Sequence, residues 1–157
     1  MTRFFLRLAL YQPDIPQNAG SLMRLCACLG VAMDVIEPCG FLLSDRNFRR
    51  AGMDYLADLD LTRHVSWGEF LGRVPGRLVL LTTKASMPYF DFSFALTDTL
   101  LVGRESAGVP DEVHRASAVR VTIPMRARMR SLNVAQAAAM VLGEALRQTT
   151  LFPDPTA

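Results

Sequence analysis

Residues 100–110 read Leu-Leu-Val-Gly-Arg-Glu-Ser-Ala-Gly-Val-Pro, a short apolar run that passes directly into a loop with two glycines. Compact apolar runs of this kind are expected of strands that are buried on both faces of a parallel sheet. Gly108 allows a positive φ, and Gly103 would let a ligand approach the backbone closely. The stretch therefore predicts a buried strand that ends in a ligand-binding loop, although a plain strand-to-helix turn explains these residues equally well when they are taken alone.

Outward from this stretch, predicted strands alternate with predicted helices along the whole chain. This alternation predicts an α/β fold, with a mostly parallel sheet flanked by helices. We assign residues 1–150 to one such domain and residues 151–157, which contain two prolines, to a flexible tail. The predicted strands are Phe4–Leu10, Val31–Ile36, Leu61–Val65, Arg77–Thr82, Thr99–Val102 and Ala118–Ile123. The predicted helices are Asn18–Leu29, a helix from Ser44 through Arg50, a short helix capped by Ser66 through Leu71, Pro110–Arg115 and Leu132–Gln148.

The bulk composition excludes several classes of protein. Half of the 157 residues are hydrophobic, which predicts a globular chain, and no apolar run reaches the roughly 18 residues that a membrane span needs. Met1–Arg7 lacks the layout of a secretory signal, so we expect a soluble, cytoplasmic protein with no membrane partner. The three cysteines, Cys26, Cys28 and Cys39, are odd in number and unevenly spaced. This argues against disulfides and a zinc site and predicts reduced, mostly buried thiols.

The basic residues are nearly all arginine. Of 17 basic residues only Lys84 is a lysine, and the net charge is +2, which is weak for a protein that binds a polyanion. The arginines cluster at residues 46–50 and 126–130, and a guanidinium group can bind two phosphate oxygens at once. Phosphate contact and a merely solvated arginine-rich face are equally good interpretations of the charge pattern.

A first polar loop, Tyr11–Arg24, follows the first predicted strand. Its prolines stiffen the loop, and Asn18 stands where its side chain could cap a helix. Arg24 lies on the face of that helix away from the apolar residues, so it is expected to point out of the core. These residues could place an arginine beside a reactive loop, but a simple cap and a surface charge are favoured by the pattern alone.

Another polar loop, Ile123–Asn133, follows the last predicted strand. Ser131 is predicted to cap the final helix, whose N-terminus would offer free N–H groups and positive potential to an anion. That helix is dense in alanine, which permits close packing against its own sheet or against a second subunit. Ordinary core packing remains an alternative. Neither His64 nor His114 lies in a loop with a candidate nucleophile, and hydrolase and metalloprotease motifs do not occur.

Taken together, six segments in this order resemble the SPOUT superfamily of RNA methyltransferases. More narrowly, the chain is similar to the small tRNA ribose methyltransferases that modify the wobble nucleotide, cytidine or uridine at position 34 of tRNA. The likeness extends from Leu6 to Gln148. The segments are Pro13-Asp-Ile-Pro-Gln-Asn-Ala-Gly with Arg24, Ile36-Glu-Pro-Cys-Gly-Phe, Arg49-Arg-Ala-Gly-Met-Asp-Tyr, Leu81-Thr-Thr-Lys, Gly103-Arg-Glu-Ser-Ala-Gly-Val-Pro, and Ile123-Pro-Met followed by Ser131-Leu-Asn.

The resemblance implies a fold, a cofactor and partners. It implies a C-terminal trefoil knot, a homodimer, a tRNA substrate, and S-adenosylmethionine as methyl donor with S-adenosylhomocysteine as product and no metal. The cofactor-binding residues implied by the matching motifs are Leu81, Gly103, Glu105, Ile123 and Ser131. The catalytic residues implied in the same way are Arg24, Asn18 and Asn133. Arg24 would contact or deprotonate the ribose 2′-hydroxyl, and orientation is physically easier than deprotonation because the guanidinium pKa exceeds about 12.

Three positions depart from the family pattern and bear on the substrate. Ala135 stands where relatives often carry serine, Leu142 where some carry tyrosine, and Arg104 where a smaller residue or proline is usual. The alternatives are therefore a 2′-O-methyltransferase that acts on ribosomal RNA or on another tRNA position, and a non-catalytic module that binds RNA or dimerises. We expect no N-terminal RNA-binding extension of the kind that larger substrates in this superfamily often use, and this expectation disfavours a ribosomal substrate.

Overall fold

The computed structural model describes residues 5–42 and 57–156, and within them the chain builds one six-stranded sheet. Every strand pair in this sheet is parallel. The strands are β1 (Arg7–Tyr11), β2 (Ala32–Ile36), β3 (Leu61–His64), β4 (Leu78–Leu81), β5 (Thr99–Val102) and β6 (Val119–Val121). The helices are α1 (Pro16–Leu29), α2 (Trp67–Arg73), α3 (Asp111–Ala116) and α4 (Val134–Thr149), with a 3₁₀ turn at Tyr89–Asp91.

The predicted parallel α/β architecture is confirmed, and the element boundaries differ by a few residues. The strand predicted as Thr99–Val102 has those bounds, whereas the strand predicted from Phe4 begins at Arg7. Helix α1 begins at Pro16. Proline has no backbone N–H, and the first residue of a helix makes no N–H hydrogen bond within the helix, so proline is well suited to this position. The helix predicted from Ser44 through Arg50 lies outside the described residues.

The order of the strands determines where a ligand can bind. The sheet runs β3-β2-β1-β5-β4-β6, so β1 and β5 are neighbours although they are far apart in sequence. Strands β1, β2 and β3 form one half of the sheet, and β4, β5 and β6 form the other half. Ligands of open α/β sheets bind beyond the carboxyl ends of the strands at such a reversal, which is where the polar loops lie.

Alternate residues of the strands pack into two cores on opposite faces of the sheet. In β1, Leu8 and Leu10 face the larger core under α1 and α4, while Ala9 faces the smaller core under α2 and α3. Full burial of a leucine or phenylalanine side chain contributes about 1.5–3 kcal/mol. Leu142, at the position where some relatives carry tyrosine, is fully buried in the larger core, so its side chain serves the packing of α4.

A buried polar network joins the three strands on one side of the sheet. Arg7 of β1 donates from Nε to Asp34 Oδ2 of β2 over 2.7 Å. His64 Nε2, at the end of β3, lies 2.8 Å from Asp34 Oδ1. Because a buried carboxylate is costly without partners, this network holds the β3 edge in register and gives His64 a structural role.

The cysteines of the described residues are free thiols. Cys26 is buried in the core, and this burial raises the pKa of its thiol to about 12. The prediction of mostly buried thiols is confirmed for Cys26, while Cys39 is half-buried and Cys28 is exposed on α1. Cys28 differs because it lies two residues along the helix from Cys26 and therefore faces away from the sheet. Among residues 5–42 and 57–156, no helix is long and apolar enough to cross a membrane.

Candidate active site

A cavity of about 460 Å³ lies where β4, β5 and β6 end and where α4 begins. Its volume is in the range of pockets that bind small molecules and cofactors. Two loops form much of its wall: the glycine loop, residues 103–110, and the arginine loop, residues 123–133. The predicted site residues that line the cavity are Leu81, Gly103, Glu105, Ile123, Ser131, Asn18 and Asn133.

The glycine loop is closed on itself by backbone hydrogen bonds. Arg104 N donates to Gly108 O over 3.0 Å, and Gly108 N donates to Arg104 O over 2.9 Å. A Cβ atom on Gly103 would lie 2.8 Å from the carbonyl carbon of Gly108. The opposite side of the loop therefore approaches Gly103 so closely that a side chain there would clash, and Gly103 also lines the cavity. The positive φ predicted for Gly108 is confirmed at 61°.

An acidic pair ties the glycine loop to the loop after β1. Asp14 N donates to Glu105 Oε2 over 3.1 Å, and Glu105 N donates to Asp14 Oδ1 over 3.2 Å. The hydroxyl of Ser106 also donates to Asp14. Burial, together with the neighbouring Asp14 carboxyl, raises the pKa of Glu105, whereas hydrogen bonds from Glu105 and Ser106 lower the pKa of Asp14. We call this hydrogen-bonded pair of residues the carboxyl latch.

The side chain of Arg104 contacts β1 and the glycine loop itself. Its guanidinium carbon lies 5.5 Å from the centroid of the Tyr11 ring, within the range of a cation–π interaction. Its Nε also donates to Gly108 O over 3.2 Å. The arginine that departs from the family pattern is therefore accommodated by contacts with β1 and with its own loop.

Helix α4 begins differently from the prediction. The N-cap is Asn133, whose side-chain oxygen accepts from Ala135 N over 2.9 Å and from Gln136 N over 3.2 Å. The prediction that Ser131 caps this helix is wrong, because the chain becomes helical only from Val134. Ser131 nevertheless lines the cavity two residues before the cap.

Asn18, which the sequence predicts to cap α1, makes its hydrogen bond to a residue outside that helix. The N-cap of α1 is Ile15, which makes no side-chain cap, so the prediction that Asn18 caps the helix is wrong. Asn18 lies in the first turn, and its Oδ1 accepts a hydrogen bond from Asn133 Nδ2 over 3.1 Å. This bond joins residues 115 positions apart and connects the starts of α1 and α4 at the wall of the cavity.

The predicted catalytic arginine of α1, Arg24, lies outside the lining of the cavity. Arg24 is exposed on α1, as predicted, but it is not among the residues that line the cavity. The arginines of the arginine loop, Arg126, Arg128 and Arg130, are also exposed. The segment that begins Arg49-Arg-Ala lies outside the described residues. Among the residues that the structure does describe, no group of three His, Cys, Asp or Glu side chains could hold a metal ion.

Sequence reasoning did not assign a role to Asp14, Thr82 or Thr83. Asp14 binds Glu105, and the two threonines line the cavity directly after β4. A signal existed for each, since all three lie at or after the ends of predicted strands, and the carboxyl ends of parallel strands meet at one edge of the sheet. Which of them would meet the glycine loop depended on the strand order, which the sequence pattern does not reveal.

The lining suits an organic ligand that is partly apolar and partly polar. Leu81, Ile123 and Leu132 provide apolar walls, and Glu105 provides a carboxyl group at the same cavity. Small-molecule sites commonly combine such apolar walls with a few polar groups that fix orientation. Thr82 and Thr83 add hydroxyl groups that can donate to or accept from sugar hydroxyls or a carboxylate.

The profile of the SpoU rRNA Methylase family matches residues 5–143. The chain is also 65% identical over 144 residues to a protein from Beijerinckia indica named tRNA (cytidine(34)-2′-O)-methyltransferase, and the match covers 90% of each chain. The protein therefore belongs to the SpoU methylase family. The resemblance to RNA methyltransferases stated from the sequence is confirmed.

Solved structures agree with this assignment. One, which concerns the 2-OH methylation of C/U34 on tRNA, superposes with a TM-score of 0.88 at 41% identity and covers 91% of this chain and 95% of that chain. Another is a SpoU methyltransferase from Streptomyces viridochromogenes in complex with AdoMet. It superposes with a TM-score of 0.84 at 30% identity, over 94% of this chain and 62% of that chain.

Proposed function

We propose that this protein transfers a methyl group from S-adenosylmethionine to the ribose 2′-hydroxyl of the wobble nucleotide, position 34, of tRNA. One observation carries the proposal: the cavity beyond β4, β5 and β6 brings together seven of the eight residues that the family motifs implied. The likeness to relatives named tRNA (cytidine(34)-2′-O)-methyltransferase supports the substrate.

The residues around the cavity fit S-adenosylmethionine, which supplies an already activated methyl group when it is bound. Leu81 and Ile123 would hold its apolar parts, and the glycine loop would wrap it with Gly103 at the start. Glu105 would face its positive charge or its ribose hydroxyls, and Ser131 would provide a hydroxyl at the opposite wall. The carboxyl latch supports this role because it holds Glu105 in place before any ligand arrives.

Arg24 would orient the 2′-hydroxyl or stabilise the negative charge that develops on it. Its position on the exposed face of α1 requires the ribose to reach the methyl donor from that side. Alignment of a hydroxyl in line with the methyl group can supply a large part of the acceleration. Asn18 and Asn133 would keep the starts of α1 and α4 in the relative position that this alignment needs.

The test is transfer of a labelled methyl group from the donor to total tRNA, followed by identification of the modified nucleoside. We expect a 2′-O-methylated nucleoside at position 34, and an Arg24→Ala variant that binds S-adenosylmethionine nearly as well as the wild type but transfers no methyl group. An active Arg24→Ala variant would remove Arg24 from the mechanism. Methylation of ribosomal RNA or of another tRNA position would replace the proposed substrate, and calorimetry without donor binding would indicate a non-catalytic module.

We also propose that the protein is a homodimer. Support comes from apolar side chains that are exposed on the arginine loop and on α4, namely Met129, Leu132 and Met140. Large apolar side chains that a single chain leaves exposed can be buried in an interface between copies. Sedimentation at micromolar concentration would show a species of twice the chain mass, and a monomer at that concentration would contradict the proposal.

The proposed fold includes a trefoil knot in the C-terminal part of a single domain, residues 1–150, with a flexible tail after it. The segment after β6 pairs with the connection between β4 and β5: Thr122 N donates to Met87 O, and Tyr89 N donates to Thr122 O, each over 2.9 Å. A crystal structure whose chain does not pass through such a loop would contradict the knot. We place the protein in the cytoplasm, where fractionation should find it with tRNA.

A further inference from the structure

A second cleft, of about 350 Å³, lies at the β6 edge of the sheet, on the face that carries α2 and α3. The side chains that line it are Lys84, Asp111, His114, Arg115 and Arg120. None of them lines the cavity described above. Lys84 ends the motif segment Leu81-Thr-Thr-Lys, but none of the five is among the eight site residues that the family resemblance implied. We call this site the cationic cleft.

The sequence and the strand order bring these side chains together. Arg120 is paired with Leu80 across the β4–β6 ladder, and Val121 beside it is buried in the larger core. Because successive residues of a strand face opposite sides of the sheet, Arg120 faces the side on which α3 packs through Val113. Lys84 follows the end of β4, the strand next to β6.

The cationic cleft carries an excess of positive charge. Lys84, Arg115 and Arg120 form no ion pair with any of the described residues, and Asp111 is the single carboxylate in the lining. Burial lowers the pKa of His114, and the charges of Arg120 and Lys84 lower it further against the opposing effect of Asp111. Cations gathered with so little compensation repel one another, and an anion bound among them would relieve that repulsion.

The cleft adjoins the cavity through three chain segments. Thr83 lines the cavity and Lys84 lines the cleft; Val109 lines the cavity and Asp111 lines the cleft; Thr122 lines the cavity and Arg120 lines the cleft. One or two residues of chain span at most about 7 Å. A nucleic-acid strand with one ribose at the cavity could therefore reach the cleft with a nearby phosphate.

We propose that the cationic cleft binds a backbone phosphate of the RNA substrate, with Lys84 and Arg120 as its main contacts. The arginine fork can hold two phosphate oxygens while the lysine contributes a compact charge. A contact of this kind positions the substrate and carries no direct information about base identity. The inference rests on the proposed function, since it takes the ligand to be the RNA that is methylated.

The test compares the wild type with a Lys84→Gln, Arg120→Gln double variant. A matched control is Arg73→Gln, which removes an exposed cation from α2 on the same face of the sheet. Binding of labelled tRNA is measured by anisotropy over a range of salt concentrations, and methyl-transfer kinetics are measured alongside. Loss of the contact to this one phosphate should reduce the slope of log affinity against log salt by about 0.7–1. KM for tRNA should rise, while kcat and donor affinity stay near the wild-type values.

Three results would overturn the inference. The first is a folded double variant that binds tRNA with the wild-type affinity and salt slope. The second is a control variant that loses as much affinity as the double variant. If the double variant does not fold, the Arg120→Gln single variant is measured instead. The third result is then a salt slope of this single variant that equals the wild-type slope. Failure of the proposed function would look different, because the wild type would then bind tRNA without methylating it.

An NMR titration of the His114 imidazole separates RNA from a simple anion. A phosphate in the cleft should raise the pKa of His114, so addition of a saturating tRNA anticodon stem-loop should shift its titration to higher pH. The same titration with inorganic phosphate alone is the comparison. A His114 that responds to millimolar inorganic phosphate but not to the stem-loop would overturn the assignment to RNA.

Discussion

The two loops that form the wall of the cavity are held in different ways. The glycine loop is closed by its own backbone bridge and fastened to the loop after β1 by the carboxyl latch. In the arginine loop the stretch from Arg126 to Asn133 is exposed throughout. Within this stretch Met129 N donates a backbone hydrogen bond to Arg126 O over 3.1 Å. The side-chain contacts of Asn133 anchor its end.

This difference separates two ways of building a binding site. The glycine loop is shaped before a ligand arrives, so ligand binding does not have to order it, and this preserves affinity. The arginine loop offers charges and apolar side chains to partners, and its own contacts lie mainly at its end. We therefore expect substitutions in the glycine loop to change donor affinity and stability. We expect substitutions in the arginine loop to change the stability of the start of α4 or the binding of RNA.

The largest effect is expected from Gly103→Ala. The added methyl group would meet the backbone of Gly108 at 2.8 Å, and such overpacking costs about 1–3 kcal/mol. Affinity for S-adenosylmethionine should also fall, because Gly103 lines the cavity and relief of this clash would change the shape of its wall. Urea unfolding and calorimetry measure the two effects. Gly72→Ala is the control, because a methyl group added at that exposed helical glycine would meet no atom within 4 Å, and it should stabilise α2 by up to about 1 kcal/mol.

Asn133→Ala should have the next largest effect. It removes the cap of α4 and the bond to Asn18 together, and loss of an N-cap costs about 1 kcal/mol. Asn133→Ser keeps a capping oxygen but removes the donor to Asn18, so the difference between the two variants measures the link between the helices. Equal unfolding free energies for Asn133→Ala and the wild type would show that the arginine loop does not depend on this anchor.

The carboxyl latch should make the glycine loop sensitive to pH. The pKa of Glu105 is raised, so the stability it contributes is present at low pH and is lost as the pH rises through that raised value. The pKa of Asp14 is lowered, so its contribution is lost as the pH falls through that lowered value. The latch should therefore stabilise the protein most between the two values.

Glu105→Gln tests the upper side of this window. The amide can donate to Asp14 at any pH, so thermal unfolding midpoints of the variant should decline less with rising pH than those of the wild type. Glu112→Gln removes an equal charge from an exposed position on α3 and controls for net charge. Identical pH profiles for Glu105→Gln and the wild type would contradict a contribution of the raised Glu105 pKa to stability.

The smallest effect on stability is expected from Ser131→Ala. Because Asn133 and not Ser131 caps α4, the unfolding free energy should change by less than about 0.5 kcal/mol. Donor affinity is the more informative measurement here, since Ser131 lines the cavity. A loss of stability as large as that of Asn133→Ala would restore Ser131 as a cap and would contradict the contrast between the two loops.

Much of the local structure was accessible from sequence. The apolar run Thr99–Val102, the positive φ of Gly108 and the outward position of Arg24 all follow from local composition and periodicity. The start of α4 was not accessible in the same way. Ser131 and Asn133 are both good capping residues, and the choice between them depends on where the exit from β6 places the chain and on the bond to Asn18.

Residue patterns were enough to predict the class of elements and the polar loops, because each depends on residues that lie within a few positions of one another. The family resemblance needed more, namely six such segments in the same order along the chain. Which side chains meet became known only from the folded chain. Asp14 finds Glu105 across 91 residues and Asn18 finds Asn133 across 115. The reason is physical: a local pattern sets conformation and burial, whereas a contact between distant residues exists only once the strand order has brought β1, β5 and the start of α4 to the same edge of the sheet.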